Sequence, residues 1–293
     1  MTPGMAGLLA RMRATEKTVP LLEAIRGIAE IALHHGSRRL GPAQAYTTAV
    51  RGLLAEFVQS LEPQDRAAIW PRRPGAPIAL VVISSQRGLC GTFNARVVRA
   101  GIDRARSHQA DGLITDLICL GERGRRLLVD AGRTVTYSSS LPSLTLPAYT
   151  EIERIALDLL DLAETHRYDR IEVIRHVPGE RFGSTVVINQ LWPPASVIPG
   201  SASSPLEVKP SSDAPSLIAH LLAEDLLMGL YEAVIESFMS EQQARVVAMR
   251  LARDNADRIV RELTRDYREA RQHEVTSSLL EIISGYEAAE PTS

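Results

Sequence analysis

The sequence predicts an α/β fold in which long N- and C-terminal helices form an antiparallel coiled coil with a Rossmann-like α/β domain inserted between them. Two observations indicate the coiled coil: apolar residues recur at helical spacing near both ends of the 293-residue chain, and aromatic residues make up only 4% of it. A third indicates the inserted domain, because short β-branched runs alternate with helical stretches in the middle of the chain.

The N-terminal region, residues 1–62, predicts one long helix. Its apolar spacing is interrupted at Gly36, Gly41 and Pro42, where we expect a kink or a short loop. Pro20 is a second interruption, because proline removes a backbone hydrogen bond; the helix either bends there or begins just before it.

The central region, residues 74–200, changes from helical spacing to alternating strands and helices. The predicted strands are 77–84, 116–120, 134–137, 170–175 and 185–192, and the predicted helices are 94–108, 121–131 and 151–165. This alternation is typical of βαβ units with a mainly parallel sheet. The Pro- and Ser-rich residues 201–215 then predict a linker.

The C-terminal region, residues 216–293, predicts the second long helix. From 216 to 284 it contains no proline and one glycine, Gly229. Its apolar seam has a period close to 3.5 residues and consists of Met249, Ala252, Ala256, Val260, Leu263, Tyr267 and Ala270. A helix of ~70 residues would extend ~100 Å, so it needs a long partner, which the N-terminal helix supplies.

Composition excludes several classes of function. A net charge of −2 gives no global attraction to nucleic acid or to an anionic membrane. Cys90 and Cys119 form no CxxC pair, so neither a disulfide framework nor a zinc site is predicted, in keeping with a reducing cytoplasm. No signal-peptide core and no run of about 18 apolar residues occurs, and we therefore expect no direct membrane span.

A glycine-containing turn follows the first predicted strand, where a phosphate-binding loop would lie. Gly88 and Gly91 match neither the GxGxxG nor the GxxxxGK[ST] spacing, so we predict a structural turn, with Asn94 capping the next helix. Cys90 has no basic neighbour in sequence and is expected to be inert. The sequence predicts no catalytic, cofactor-binding or metal-binding residue.

Two segments resemble the γ subunit of F-type ATP synthases. SSQRGLCGTFN (84–94) is similar to that family's S-D-R-G-L-C-G-G-F-N. SEQQARVVAMRLARDNADRIVRELTRDYREARQHEVTSSLLEIISG (240–285) resembles S-E-x-x-A-R-x-x-A-M-x-x-A-x-D-N-A followed by L-x-x-x-Y-N-x-A-R-Q-x-x-I-T-x-E-L-x-E-I-x-x-G. The second match covers about 46 residues, and both segments occur in the expected order and structural setting.

Other positions depart from the family pattern. Residues 11–33 resemble R-I-x-S-V-x-x-T-x-K-I-T-x-A-M-x-M-V-A-x-x-K, but residues 20–25 read PLLEAI where the pattern has K-I-T-x-A-M. Further departures are Gln86, Thr92 and Ser278. The resemblance is therefore to a divergent γ subunit, and it leaves open whether that subunit belongs to a housekeeping enzyme or to an alternative ion-translocating F-ATPase.

The resemblance implies a non-catalytic rotor that couples ion translocation through a membrane c-ring to ATP synthesis or hydrolysis in an α3β3 hexamer. The implied partners are the α, β and ε subunits and the c-ring, at the cytoplasmic face of the cell membrane. Residues implied to contact a β subunit are Arg245, Gln272, Thr276 and Ile25. The implied apolar bearing tip is formed by Leu279, Leu280, Ile282 and Ile283.

Two other classes of protein make different predictions for this sequence. A Rossmann-like enzyme with oligomerising terminal helices predicts a recognisable cofactor loop, which the turn at 84–94 does not provide. An unrelated coiled-coil scaffold leaves the match at 240–285 unexplained.

Overall fold

The structure is a computed structural model, and it describes residues 3–61, 75–142, 145–166, 168–179, 183–194 and 214–289. Residues 201–213 of the predicted linker lie outside the described residues. The elements in chain order are α1 (Pro3–Ser60), β1 (Ile78–Ile83), α2 (Phe93–Ala110), β2 (Thr115–Leu120), α3 (Glu122–Asp130), β3 (Tyr137–Ser139), α4 (Tyr149–His166), β4 (Arg170–Pro178), β5 (Ser184–Trp192) and α5 (Ala214–Ala289).

The described strands form one five-stranded sheet in the order β3-β2-β1-β4-β5. Neighbouring strands are parallel except β5, which runs antiparallel to β4. All six residues of β1 are buried, because helices cover both faces of the sheet. Leu80 shares a core with Val97 of α2, whereas Val81 shares a second core with Leu54 of α1 and Leu226 of α5.

Residues 28–247 form the larger of two compact units. Within it, Gln44 of α1 bonds to Glu236 of α5 at 3.4 Å, and Arg51 pairs with Asp225 at 2.8 Å. Higher numbers in α1 meet lower numbers in α5, so the two helices are antiparallel, as predicted.

Helix α1 is continuous from Pro3 to Ser60, so a loop around Gly36 and a helix start just before Pro20 are both wrong. Gly36 is buried, and a Cβ atom there would lie 2.6 Å from Cγ of Met239. The glycine therefore allows close helix packing, which outweighs its low helix propensity. Pro20 and Pro42 lie on exposed positions, where a carbonyl group left without its N–H partner can bond to water.

Residues 1–27 and 248–293 form the smaller unit. Thr264 bonds to Sδ of Met12 at 3.4 Å, and Arg253 lies 3.2 Å from a carboxylate oxygen of Glu23, so this helix pair is also antiparallel. Every position of the predicted seam from Met249 to Ala270 is buried or half-buried, whereas most residues between them are exposed.

Strand β3 begins at Tyr137, three residues later than predicted. Residues 133–135 connect the end of α3 to the sheet, and pairing with β2 begins where the N–H of Thr136 donates to the carbonyl of Leu117 at 2.8 Å. The β-branched residues 134–136 raised the strand propensity, but the position of the neighbouring strand decides where the pairing starts.

Polar side chains connect the terminal helices to the sheet. Glu236 accepts hydrogen bonds from Arg175 of β4 at 2.7 Å and from Gln44 of α1 at 3.4 Å. Helix α5 also packs closely against β5 at Gly229. A Cβ atom at this position would lie only 2.5 Å from the side chain of Leu191. Helix α5 is thus bound to both α1 and the sheet.

Within the described ranges, no helix carries a stretch apolar enough to cross a membrane.

Candidate functional site

The turn between β1 and α2 is closed by hydrogen bonds across it. The amide Oδ1 of Asn94 accepts a bond from the backbone N–H of Ser85 at 2.9 Å. Its Nδ2 donates to the Ser85 hydroxyl at 2.8 Å and to Sγ of Cys90 at 3.2 Å. The predicted capping role of Asn94 is wrong: Thr92 occupies the cap position, and Asn94 lies inside the first helical turn.

Two residues with a left-handed backbone shape this loop. Leu89 has φ of 65° and Gly91 has φ of 57°, both left-handed. Glycine accepts this conformation without strain, whereas a leucine is held there at a cost of about 1–2 kcal/mol. The side chain of Leu89 is nevertheless 62% exposed. Burial of that side chain therefore does not explain why the loop adopts this shape.

Gly88 lies between two arginine side chains. Its carbonyl oxygen accepts a bond from Nη2 of Arg245 at 3.5 Å. On the other side, a Cβ atom at Gly88 would lie 3.8–4.0 Å from the guanidinium group of Arg123, which is ordinary contact. The identity of this residue is thus not imposed by crowding.

Arg245 is buried inside the chain, with only 2% of its side chain exposed. Its guanidinium group donates to Glu241, one helical turn earlier, and to Oε1 of Gln242 at 2.7 Å. Together with the bond to Gly88, these contacts make Arg245 the link between α5 and the turn. The sequence placed this residue on a partner-facing surface and did not predict its burial.

Burial raises the pKa values of two groups beside Arg245 and the turn. Desolvation raises the pKa of Glu241 to about 7, although the positive charge of Arg245 opposes the shift. Desolvation also raises the pKa of the Cys90 thiol. A raised pKa disfavours the thiolate, so the geometry agrees with the expectation that Cys90 is a poor nucleophile.

The remaining predicted contact residues are more accessible. Gln272 and Thr276 are exposed one turn apart on α5, and the Thr276 hydroxyl donates to the Gln272 carbonyl at 2.9 Å. Ile25 is half-buried on α1. Solvent therefore reaches the Gln272 and Thr276 side chains, which could accept or donate further hydrogen bonds.

The predicted tip residues form an exposed apolar row near the end of α5. More than half of each side chain is accessible, with 55% for Leu279, 59% for Leu280, 68% for Ile282 and 53% for Ile283. Clustered exposed apolar side chains of this kind usually mark a contact surface.

The sequence did not single out three residues in or beside the 84–94 turn: Glu241, Ser85 and Leu89. Glu241 could have been found, because it precedes Arg245 by four residues and such pairs meet on a helix. Ser85 and Leu89 carry no comparable signal, since their roles depend on the shape of the turn. In the part of the chain that the structure describes, no group of His, Cys, Asp and Glu side chains could hold a metal ion.

The fold and these surfaces define a class of protein: two antiparallel terminal helices with an inserted α/β domain, and with polar and apolar side chains exposed near the end of the C-terminal helix. The sequence profile of the ATP synthase family matches residues 5–289. The ATP synthase gamma chain of Cereibacter sphaeroides is 30% identical over 98% of this chain and 99% of its own length. The chain therefore belongs to the ATP synthase gamma chain family, whose members are non-catalytic subunits of the central stalk.

Other relatives and solved structures agree. The gamma chain of Sinorhizobium fredii is 26% identical over 98% of this chain and 99% of its own length. The rotor of the Euglena gracilis mitochondrial ATP synthase has a TM-score of 0.67 and 13% identity, covering 94% of this chain and 100% of the other. A chain of the Tetrahymena thermophila central stalk and c-ring has a TM-score of 0.58 and 18% identity, covering 79% and 99%. These structures share the fold.

Proposed function

We propose that this chain is the rotor that couples ion translocation through a membrane c-ring to ATP synthesis or hydrolysis in an α3β3 hexamer. The observation that carries the proposal is the end-to-end match to gamma chains, combined with two terminal helices that are continuous over 58 and 76 residues. Uninterrupted helices supply the stiffness that a rotor needs.

The proposed coupling follows from differential binding. A rotor inside a ring of three catalytic sites presents a different face to each site. Contacts that are stronger with one conformation of a site shift its equilibrium, and the shift moves to the next site as the rotor turns. ATP chemistry and ion translocation take place on the other subunits.

The proposed β-subunit contacts are Gln272, Thr276, Ile25 and Arg245. Exposed amide and hydroxyl groups at positions 272 and 276 suit hydrogen bonds to a partner loop. Arg245 differs, because its guanidinium group is already bound inside the chain. A direct contact would require it to exchange these bonds, whereas an indirect contact would pass through the turn at Gly88.

The α/β domain is proposed to contact the ε subunit and the c-ring, so that the chain lies peripherally at the cytoplasmic face of the cell membrane. The apolar row from Leu279 to Ile283 is proposed as the bearing tip. Apolar side chains suit a bearing because they form no directional bonds that must break during rotation.

Co-expression with the α and β subunits tests the function. We expect a stable complex that hydrolyses ATP and that dissociates or loses coupled activity when this chain is omitted. Failure to recover any complex containing this chain would overturn the rotor proposal.

Within that complex, Gln272→Ala tests the contact surface. We expect the ATPase rate to fall several-fold, since losing about one hydrogen bond to a partner costs about 1 kcal/mol. Thermal unfolding of the free chain should not change, because Gln272 is exposed. His273→Ala, at the exposed neighbouring position, is the matched control; equal rates for the two variants would contradict the assignment.

A further inference from the structure

The buried pair formed by Arg245 and Glu241 needs an explanation beyond stability. Both side chains are almost fully buried, at 2% and 6% exposure. An ion pair in such a place contributes little net stability, because removing two charges from water offsets their attraction. The pair does fix the orientation of the guanidinium group. Held by Glu241 and Gln242, that group can donate a further hydrogen bond in one defined direction, to a third acceptor.

That third acceptor is the carbonyl group of Gly88, in the turn between β1 and α2. The same peptide group carries the N–H of Leu89, so the orientation of this plane sets the left-handed φ of 65° at Leu89. Leu89 has no burial to hold it in this conformation, since 62% of its side chain is exposed. The conformation must therefore be maintained by the bonds around it.

We propose that Arg245 is a positioning residue inside this chain: oriented by Glu241, it holds the 84–94 turn closed against helix α5 and so fixes the exposed side chain of Leu89. Arg245 thus ties the α/β domain to the C-terminal helix at a point 157 residues away in sequence. Substitutions at position 245 then act on partners through the turn. This role does not depend on a direct contact between Arg245 and another subunit.

Cys90 reports on this turn. It is 1% exposed, next to Leu89, and its thiol is bonded by Asn94. Alkylation of the folded full-length chain, with mass spectrometry to resolve each cysteine, measures how often the turn opens. Cys119 is the internal reference, because it is fully buried in β2 and becomes accessible only when the sheet unfolds.

We expect Arg245→Ala to accelerate Cys90 alkylation about tenfold or more, the factor for losing a hydrogen bond to a charged group, and to accelerate Cys119 alkylation much less. Removing the positive charge of Arg245 disfavours the Cys90 thiolate, so a faster reaction must come from exposure. The Cys90 rate should also be insensitive to low urea concentrations, as local opening is.

Several variants keep the test decisive. Glu241→Leu with Arg245→Met replaces the pair by apolar side chains of similar size, preserves the fold, and should still open the turn. Asn94→Ala, which removes other bonds of the turn, is the positive control. Arg258→Ala is the matched negative control, because Arg258 forms an exposed pair with Glu262 on the same helix.

The proposal is overturned if Asn94→Ala accelerates Cys90 alkylation while Arg245→Ala and the double variant do not. It is also overturned if Cys90 and Cys119 accelerate together and in proportion to urea, which would indicate a loss of global stability only. Because these measurements use the chain alone, they are independent of whether a complex with α and β subunits forms.

Discussion

Asp225 combines full burial with a charge that is only partly paired. Its side chain is fully buried, whereas its partner Arg51 is 46% exposed. In the described ranges, the second carboxylate oxygen of Asp225 has no hydrogen-bond partner. Burial accordingly raises the pKa of Asp225 above its usual value of 3.8, although Arg51 opposes the shift. The two partners should therefore respond unequally to substitution.

Arg51→Met should lower the free energy of unfolding by about 1–3 kcal/mol at neutral pH, because it leaves a buried carboxylate without its cation. A carboxyl group with a raised pKa in the folded chain favours folding at low pH, and this contribution is lost as the pH rises through that pKa. Without Arg51 the pKa rises further, so the deficit relative to the wild-type chain should grow as the pH rises above the folded-state pKa of Asp225 in the wild-type chain.

Urea unfolding between pH 4 and pH 8 measures this deficit. Arg51→Met combined with Asp225→Asn is the control, because an amide cannot titrate, and its deficit relative to the wild-type chain should not grow as the pH rises. A constant deficit for Arg51→Met alone would contradict the account.

The contrast between Arg245 and Gln272 shows what the sequence could tell about single residues. The motif singled out both positions, and the structure exposes Gln272 but buries Arg245. The burial of Arg245 could not be inferred, because helical spacing marks charged residues as solvent-facing. Only the turn from another part of the chain supplies the acceptor that makes the buried position tolerable.

Helix α1 packs closely against α5 because small residues follow one of its faces. Ala29, Ala32, Gly36 and Ala43 are buried at intervals of three, four and seven residues. Small side chains let two helix backbones approach, so that Met239 fills the space above Gly36. A glycine that looks like a helix breaker is therefore part of the interface.

Gly36→Val should lower the free energy of unfolding by about 1–3 kcal/mol, because the new side chain would overlap that of Met239. Gly52→Val is the matched control in the same helix: Gly52 is exposed with no atom within 4 Å of its Cβ position, and its substitution should change stability by less than about 0.5 kcal/mol. Thermal or urea unfolding compares the two, and equal losses would show that helix propensity dominates.

The sequence predicted most elements but not their exact extent. Strands β1 and β2 were recognisable as continuous apolar runs, which parallel strands buried on both faces produce. The continuity of α1 and the start of β3 were predicted wrongly. Both depend on a neighbour distant in sequence, Met239 in one case and the pairing edge of β2 in the other.

The bearing role proposed for the apolar residues near the end of α5 yields a prediction for the whole assembly. Ile282→Glu with Ile283→Glu should leave unfolding of the free chain unchanged, because both side chains are more than half exposed. In the complex, the new carboxylates would form polar contacts with the surrounding subunits that must break as the rotor turns. Contacts that stabilise the resting state by about 1 kcal/mol would slow ATP-driven turnover about fivefold. Alanine at both positions is the control and should preserve the rate; equal rates for the two double variants would contradict a bearing role.

The junction at Glu236 has a mechanical consequence. The hydrophobic attraction between apolar surfaces has no preferred direction, so by itself it does little to fix the position of one surface along the other. Glu236 is bonded by Arg175 from strand β4 and by Gln44 from helix α1, so any slip of α5 along either neighbour must stretch a directional bond. Glu236 therefore restrains the position of α5 along its axis relative to both α1 and the sheet.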